Sequence, residues 1–145
     1  MPTKSFRGKM SNDTIDTINL HTNTESTGYK IKKFQVMQTT DADVESTIKI
    51  YSVPQTSTSN DIDFSDNTLL AAIYFTSAAN GQLYPEDQTV IFDNMVFNQD
   101  IYVTCQSVFG NSVNYYIELE QMPLAIDANT VATLKDVRNI KSLSS

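Results

Sequence analysis

The sequence predicts an all-β protein, an antiparallel β-sandwich with either a jelly-roll or an immunoglobulin-like strand order. Val, Ile, Thr, Tyr and Phe recur in short alternating runs, and these residue types suit a half-buried pleated surface. About seven such runs are separated by polar, turn-rich segments, which is the pattern of a two-sheet sandwich or a small barrel. The 145 residues of the chain are the usual length of one domain.

The first 13 residues, MPTKSFRGKMSND, have no hydrophobic period and are predicted to form an extended N-terminal arm. The β-sandwich domain is predicted over residues 14–126. Its expected strands are, in order, Thr14–Leu20, Tyr29–Thr39, Val44–Ser52, Leu69–Thr76, Thr89–Asp93, Ile101–Gln106 and Val113–Gln121.

The strand predictions depend on alternation. In Val44–Ser52, Ile101–Gln106 and Val113–Gln121 apolar residues alternate with polar ones, as expected for strands with one buried face. Leu69–Thr76 is apolar on both faces, which predicts a central strand or one that is covered twice.

The last segment, residues 127–145, is predicted to be a short C-terminal helix or a tail. Asp127 or Asn129 can cap a helix, and apolar residues then recur at every third position. These residues are Val131, Leu134, Val137, Ile140 and Leu143. Because a helix has 3.6 residues per turn, this stripe spirals, which fits a short helix or a tail that wraps a neighbouring molecule.

The net charge of −7 is unevenly distributed along the chain. Residues 1–40 hold six basic and three acidic groups, whereas residues 41–100 hold one basic and ten acidic groups. An acidic middle repels phosphate, so nucleic acid is not an expected partner. No apolar run is long enough to span a bilayer, so a membrane is not expected either.

The familiar enzyme signatures are absent from the sequence. One histidine, one cysteine and four glycines cannot form a His/Cys zinc site or a glycine-rich phosphate loop. Glu118 and Glu120 lie on one face of a strand, and the preferred interpretation is solvation or pairing with lysines such as Lys30 or Lys32. We therefore expect neither enzymatic activity nor a cofactor.

Asp61, Asp63 and Asp66 crowd one long loop and carry the carboxylates that Ca²⁺ prefers. Their D-x-D-x-x-D order lacks the glycine and the distal glutamate of an EF-hand loop. Asn and Asp also bond their own backbone in turns, so turn chemistry is the preferred interpretation and no metal is expected.

Three tyrosines, Tyr51, Tyr102 and Tyr116, fall on the polar sides of well-patterned strands. Tyr combines apolar area with a hydroxyl group, which favours it at interfaces, and its ring also stacks on sugars. These residues are the surface-aromatic candidates for contact with a partner.

Several stretches resemble small virion proteins of marine tailed bacteriophages, and together they cover about half of the chain. They are KFQVMQ (Lys33–Gln38), QTSTSNDIDFSDNTLLAAIYF (Gln55–Phe75), VIFDNMVFNQDIYVT (Val90–Thr104), NYYIELEQ (Asn114–Gln121) and NTVATLKDVRNI (Asn129–Ile140). The resemblance implies a β-sandwich protein of the particle, made in the host cytoplasm and bound on the outer capsid surface as a non-enzymatic decoration (cement) protein. It implies no catalytic residues.

The expected partners are the major capsid protein and neighbouring copies of the chain in an oligomeric particle. Ends that order on binding let a small body cover a wide surface, so the arm and the tail are the expected attachment points. The capsid-contact candidates are Lys4, Phe6, Arg7, Val131, Leu134, Val137 and Ile140.

Two alternative functions remain open. One is a receptor- or carbohydrate-binding module of a tail fibre that uses the outward tyrosines and the acidic segment 55–68. The other is an adaptor associated with the tail or the portal. Copy number per particle separates both from a decoration protein, while an enzyme using Glu118 and Glu120 is the least favoured reading.

Overall fold

The computed structural model describes residues 3–20, 27–40, 43–77, 86–92 and 94–123. This part of the chain forms β-strands and contains no helix, and therefore none that could cross a membrane. The strands are β1 (Thr3–Met10), β2 (Thr14–Ile18), β3 (Thr27–Gln38), β4 (Val44–Tyr51), β5 (Leu69–Ser77), β6 (Glu86–Ile91), β7 (Ile101–Ser107) and β8 (Val113–Pro123).

The strands form two antiparallel sheets. The smaller sheet has the order β1-β8-β3, and the larger has the order β2-β7-β4-β5-β6. Strand β1 lies against β2, strand β3 lies against β5 and β6, and a bridge between Tyr29 and Phe97 adds a further link. The prediction of an all-β protein with antiparallel sheets is confirmed, and the sheets are arranged like a sandwich.

One hydrophobic core lies between the two sheets. Strand β8 contributes every second side chain to it, and the alternating residues of β4 and β7 do the same from the larger sheet. The fully buried members of these three rows include Ile48, Ile50, Ile101, Val103, Cys105, Val113, Ile117 and Leu119. Burial also raises the pKa of the Cys105 thiol, so this cysteine behaves as a small core residue.

The prediction of an extended N-terminal arm over residues 1–13 is wrong for residues 3–10. These residues form β1, which pairs with β8 from Thr3 opposite Glu120 to Met10 opposite Val113. A Cβ atom at Gly8 would lie 2.9 Å from the ring of Tyr115, so the absent side chain lets that ring lie against β1. The core-facing row of β1 includes Lys4 and Gly8, which hides the period of two that identifies a strand.

The seven predicted strands are all present, with small shifts at their ends. Strand β6 begins at Glu86 rather than at Thr89, and β2 ends at Ile18 rather than at Leu20. The predicted C-terminal helix or tail over residues 127–145 lies outside the described residues.

Ile117 lies in the middle of the smaller sheet, between Phe6 on β1 and Phe34 on β3. We expect Ile117→Ala to lower the free energy of unfolding by about 2–5 kcal/mol, because it leaves a cavity in a fully buried site. Val90→Ala, at a 39% exposed position of β6, is the control and should change it by less than about 0.5 kcal/mol. Denaturant unfolding measures both, and equal effects would contradict this placement of the core.

Candidate docking surface

The two sheets carry opposite charge. Strands β1 and β3 hold six of the ten basic residues of the chain, and Glu118 and Glu120 are the acidic residues of the smaller sheet. The basic residues are Lys4, Arg7, Lys9, Lys30, Lys32 and Lys33. In the strands of the larger sheet, Lys49 is the one basic residue, and it is buried.

The outward side of the smaller sheet is here called the basic face. Strand register aligns its side chains in rows that run across β1, β8 and β3. Lys30 pairs with Glu120 and Lys33 pairs with Glu118, each with 3.9 Å between nitrogen and oxygen. Lys33 takes the place expected for Lys32, because the register shift between Ile31 and Lys33 leaves Lys32 outside the rows. Exposed pairs of this kind contribute only about 0–1 kcal/mol, so the lysines remain able to meet a partner.

A pocket of about 680 Å³ lies on the basic face, beginning at the row next to the Lys33–Glu118 pair. Arg7, Tyr116 and Gln35 line it as one register row across the three strands, and strand β6 adds Asp87. The Tyr116 hydroxyl donates a hydrogen bond of 2.7 Å to the Glu118 carboxylate. This bond to the carboxylate favours the protonated hydroxyl and raises the pKa of Tyr116.

The three predicted capsid-contact residues of the N-terminal segment have different environments. Arg7 is exposed on the basic face, and the Lys4 ammonium lies 5.6 Å from the ring centroid of Tyr29. Phe6 instead packs against the core. This packing is enough to explain an aromatic residue at position 6, and no contact with a partner protein is needed to explain it. The other four candidates, Val131, Leu134, Val137 and Ile140, lie outside the described residues.

The three surface-aromatic candidates do not share one surface. Tyr51 and Tyr102 are register partners on the larger sheet, whereas Tyr116 lies on the smaller one. Tyr51 is half-buried, with the Lys49 ammonium 5.6 Å from its ring centroid. Burial, and then the charges of nearby acidic side chains, raises the pKa of Tyr51 to about 12. Tyr116 lines the pocket of the basic face.

Residues 53–68, here called the acidic loop, cross the outward side of the larger sheet. The Lys49 ammonium donates a hydrogen bond of 2.7 Å to the Asp61 carbonyl oxygen, and the Thr58 hydroxyl bonds to the Gln106 side chain. Burial lowers the pKa of Lys49, although the charges of Asp61 and Asp66 oppose this shift. The loop therefore covers residues that a bare sheet would expose, and outward-pointing Ala72 of β5 is buried.

The carboxylates of the acidic loop take part in turn bonding. Asp63 accepts hydrogen bonds from the backbone and hydroxyl of Ser65, at 2.9 and 2.5 Å. Asp66 accepts the equivalent bonds from Thr68, at 2.9 and 2.6 Å. Over the described ranges, no three or more His, Cys, Asp or Glu side chains are grouped in a way that could hold a metal ion.

Sequence reasoning did not select most of the residues around the pocket. Gln35, Met37 and Asn114 follow the alternation of ordinary outward strand positions, and Asp87 comes from a strand distant in sequence. Their association needs the strand register, which the sequence pattern alone does not define. Comparison with known proteins adds no relative, because neither a protein family, nor a curated protein, nor a solved structure matches the chain.

The Lys49 ammonium holds the acidic loop at its Asp61 carbonyl. We expect Lys49→Ala to speed cleavage at Asp61, Asp63 and Asp66 by an aspartate-specific endoproteinase about tenfold or more, since a hydrogen bond from a charged group is lost. Lys30→Ala, which changes a lysine on the other sheet, should leave the cleavage rate unchanged. An unchanged rate in the Lys49 variant would show that the loop is held by other contacts.

Ionisation of the Tyr51 hydroxyl should lower the free energy of unfolding at high pH. Its pKa is about 10 when exposed and about 12 in the fold, so between these values the unfolded chain has lost a proton that the folded chain retains. Stability therefore falls as pH rises from about 10 to about 12. We expect Tyr51→Phe to make this fall shallower in denaturant unfolding curves measured at several alkaline pH values. Identical slopes in the two proteins would contradict the raised pKa.

Proposed function

We propose that this chain is a non-enzymatic structural protein of a bacteriophage particle, and more specifically a decoration protein that binds the outer surface of the capsid. The observation that carries the proposal is the segregation of charge between the two sheets. The resemblance of several sequence stretches to small virion proteins of marine tailed phages gives the class of particle.

The strand pairing supports a jelly-roll form of the β-sandwich. A long antiparallel ribbon rolled on itself pairs its first strand with its last, its second with its seventh, and its fourth with its fifth. The chain has these three pairings, β1–β8, β2–β7 and β4–β5. The fourth jelly-roll pair, β3 with β6, is not hydrogen-bonded, because β6 pairs with β5 in the larger sheet and only lies against β3. An immunoglobulin-like order would place the first two strands in one sheet, whereas β1 and β2 are in different sheets.

Jelly rolls occur in viral capsid proteins and also in lectins. A shared fold does not by itself assign a function. It supports a virion role and is equally compatible with a carbohydrate-binding module. The choice between the two therefore depends on the charges and on the site.

The charge distribution gives the protein a preferred orientation on a partner. The chain has a net charge of −7, so an acidic surface repels it except at the basic face. Complementary charge directs encounter and register more than it adds affinity. Lys30 and Lys33 lie towards one end of this face, with the exposed Lys32 at the register shift beside them, and these three are the residues that we expect to meet an acidic patch of the shell. Many copies on a symmetric lattice then add avidity to modest contacts.

Copy number in purified particles tests the class of function. We expect quantitative mass spectrometry to find the chain at a lattice-compatible ratio to the major capsid protein. A few copies per particle would instead favour a tail-fibre receptor- or carbohydrate-binding module or a tail adaptor. Absence from the particle would reject a virion role.

The basic face is tested by replacing Lys30, Lys32 and Lys33 together. With all three changed to Gln, we expect binding to capsids stripped of this protein to weaken at least about tenfold, because three complementary charges are lost. The matched control changes the same three residues to Arg, which keeps the charge and should keep most of the binding. Equal binding by the Gln and Arg variants would contradict attachment through the basic face.

A further inference from the structure

The turn between β7 and β8 exposes two adjacent large apolar side chains. Val108 is 55% exposed and Phe109 is 57% exposed. Gly110 follows with a φ of 78°, a left-handed conformation that glycine adopts without the strain of a Cβ atom. The chain reverses there and leaves the two side chains at the tip, here called the apolar knob.

The apolar knob is held in place by its neighbours. The Val108 amide donates a hydrogen bond of 2.8 Å to the Glu45 carbonyl oxygen at the start of β4. The Ser107 hydroxyl donates one of 3.1 Å to the Asn111 carbonyl oxygen, and the Asn111 amide group donates to the Asp43 carbonyl oxygen. A turn with these anchors presents its apolar side chains in a fixed position, so that little conformational entropy is lost on contact.

The pocket of the basic face lies beside the knob. Strand β8 begins at Val113, immediately after the turn, and its next residue, Asn114, lines the pocket opposite Met37. Val36, Met37 and Tyr116 add apolar surface to the lining, and Met37 is 68% exposed. The 680 Å³ of this pocket falls within the usual range for sites that enclose a ligand and is ample for one aromatic ring.

We propose that this end of the molecule is a contact between two copies of the chain, in which Phe109 of each copy enters the pocket of the other. Knob and pocket lie at the same end of the molecule, since the turn leads directly into the end of β8 that lines the pocket, and in this dimer a two-fold axis brings both pairs together at once and closes the assembly. The proposal deepens the proposed function, on which its biological setting rests, by specifying a contact between neighbouring copies. It uses the rows of the basic face that follow the Lys33–Glu118 pair, and not the lysines assigned to the shell.

Charge at the edges of the contact is complementary. Arg7 lies at the pocket, and Asp43 lies at the base of the knob, where its carbonyl oxygen accepts the bond from Asn111. In the reciprocal arrangement Asp43 of one copy approaches Arg7 of the other. The apolar contact is small, so the dimer is weak in dilute solution and is favoured by the high local concentration on a particle surface.

Sedimentation equilibrium of the purified full chain tests the knob. We expect a concentration-dependent monomer–dimer equilibrium, and we expect Phe109→Ser to raise its Kd at least about tenfold, because an apolar ring returns to water. The matched control is Phe64→Ser, which removes a Phe that is also 57% exposed but lies on the acidic loop. A monomeric wild-type chain at every concentration, or equal effects of the two variants, would overturn the proposal.

A second variant tests the pocket without changing the knob. Gln35→Trp places a bulky ring on an exposed strand position that lines the pocket, and we expect it to weaken self-association as strongly as Phe109→Ser. A mixture of the two variants should associate more tightly than either variant alone and more weakly than the wild type, because it restores one of the two knob–pocket contacts. A mixture that associates no more tightly than either variant alone would contradict insertion of Phe109 into this pocket. Since purified protein suffices, this proposal and the capsid role can fail separately.

Discussion

The register of β8 between β1 and β3 is the constraint on which the other features depend. One row of β8 side chains, centred on Ile117, fills the core, and the other row carries Tyr116, Glu118 and Glu120 on the basic face. A slip of one residue would exchange the two rows and place carboxylates in the core. The same register aligns Arg7 with Tyr116 and Gln35, so the pocket exists only with this pairing.

The sequence pattern predicted most of the strands, because strands such as β4, β7 and β8 alternate between apolar and polar residues and β5 is a short continuous apolar run. It missed β1, whose core-facing positions include a lysine and a glycine, so that only Phe6 and Met10 supply apolar side chains. Gly8 belongs in this strand because of the Tyr115 ring, which comes from more than 100 residues later in the chain. A local pattern does not contain such a contact.

The candidate site was predictable only in part. Tyr116 was selected for its polar-side position, and Arg7 was selected within a segment expected to be free; their adjacency follows from long-range pairing. Tyr51 was selected by the same alternation, but the acidic loop crosses its sheet and leaves it half-buried over Lys49. Val108 and Phe109 are two apolar residues that precede a glycine in the turn between two strands. This local pattern indicates an exposed tip, but a search for alternating apolar and polar residues does not detect it.

The central claim is that residues 3–10 form a strand of the smaller sheet and thereby create both the basic face and the pocket. Amide hydrogen exchange of Thr3–Met10 measures this most directly. Because an edge strand bonds to its neighbour through alternate amides, we expect every second amide of β1 to exchange slowly and the others to exchange quickly. If all these amides exchange at the rate of a free peptide, residues 3–10 form an extended arm and not a strand, and the pocket does not exist.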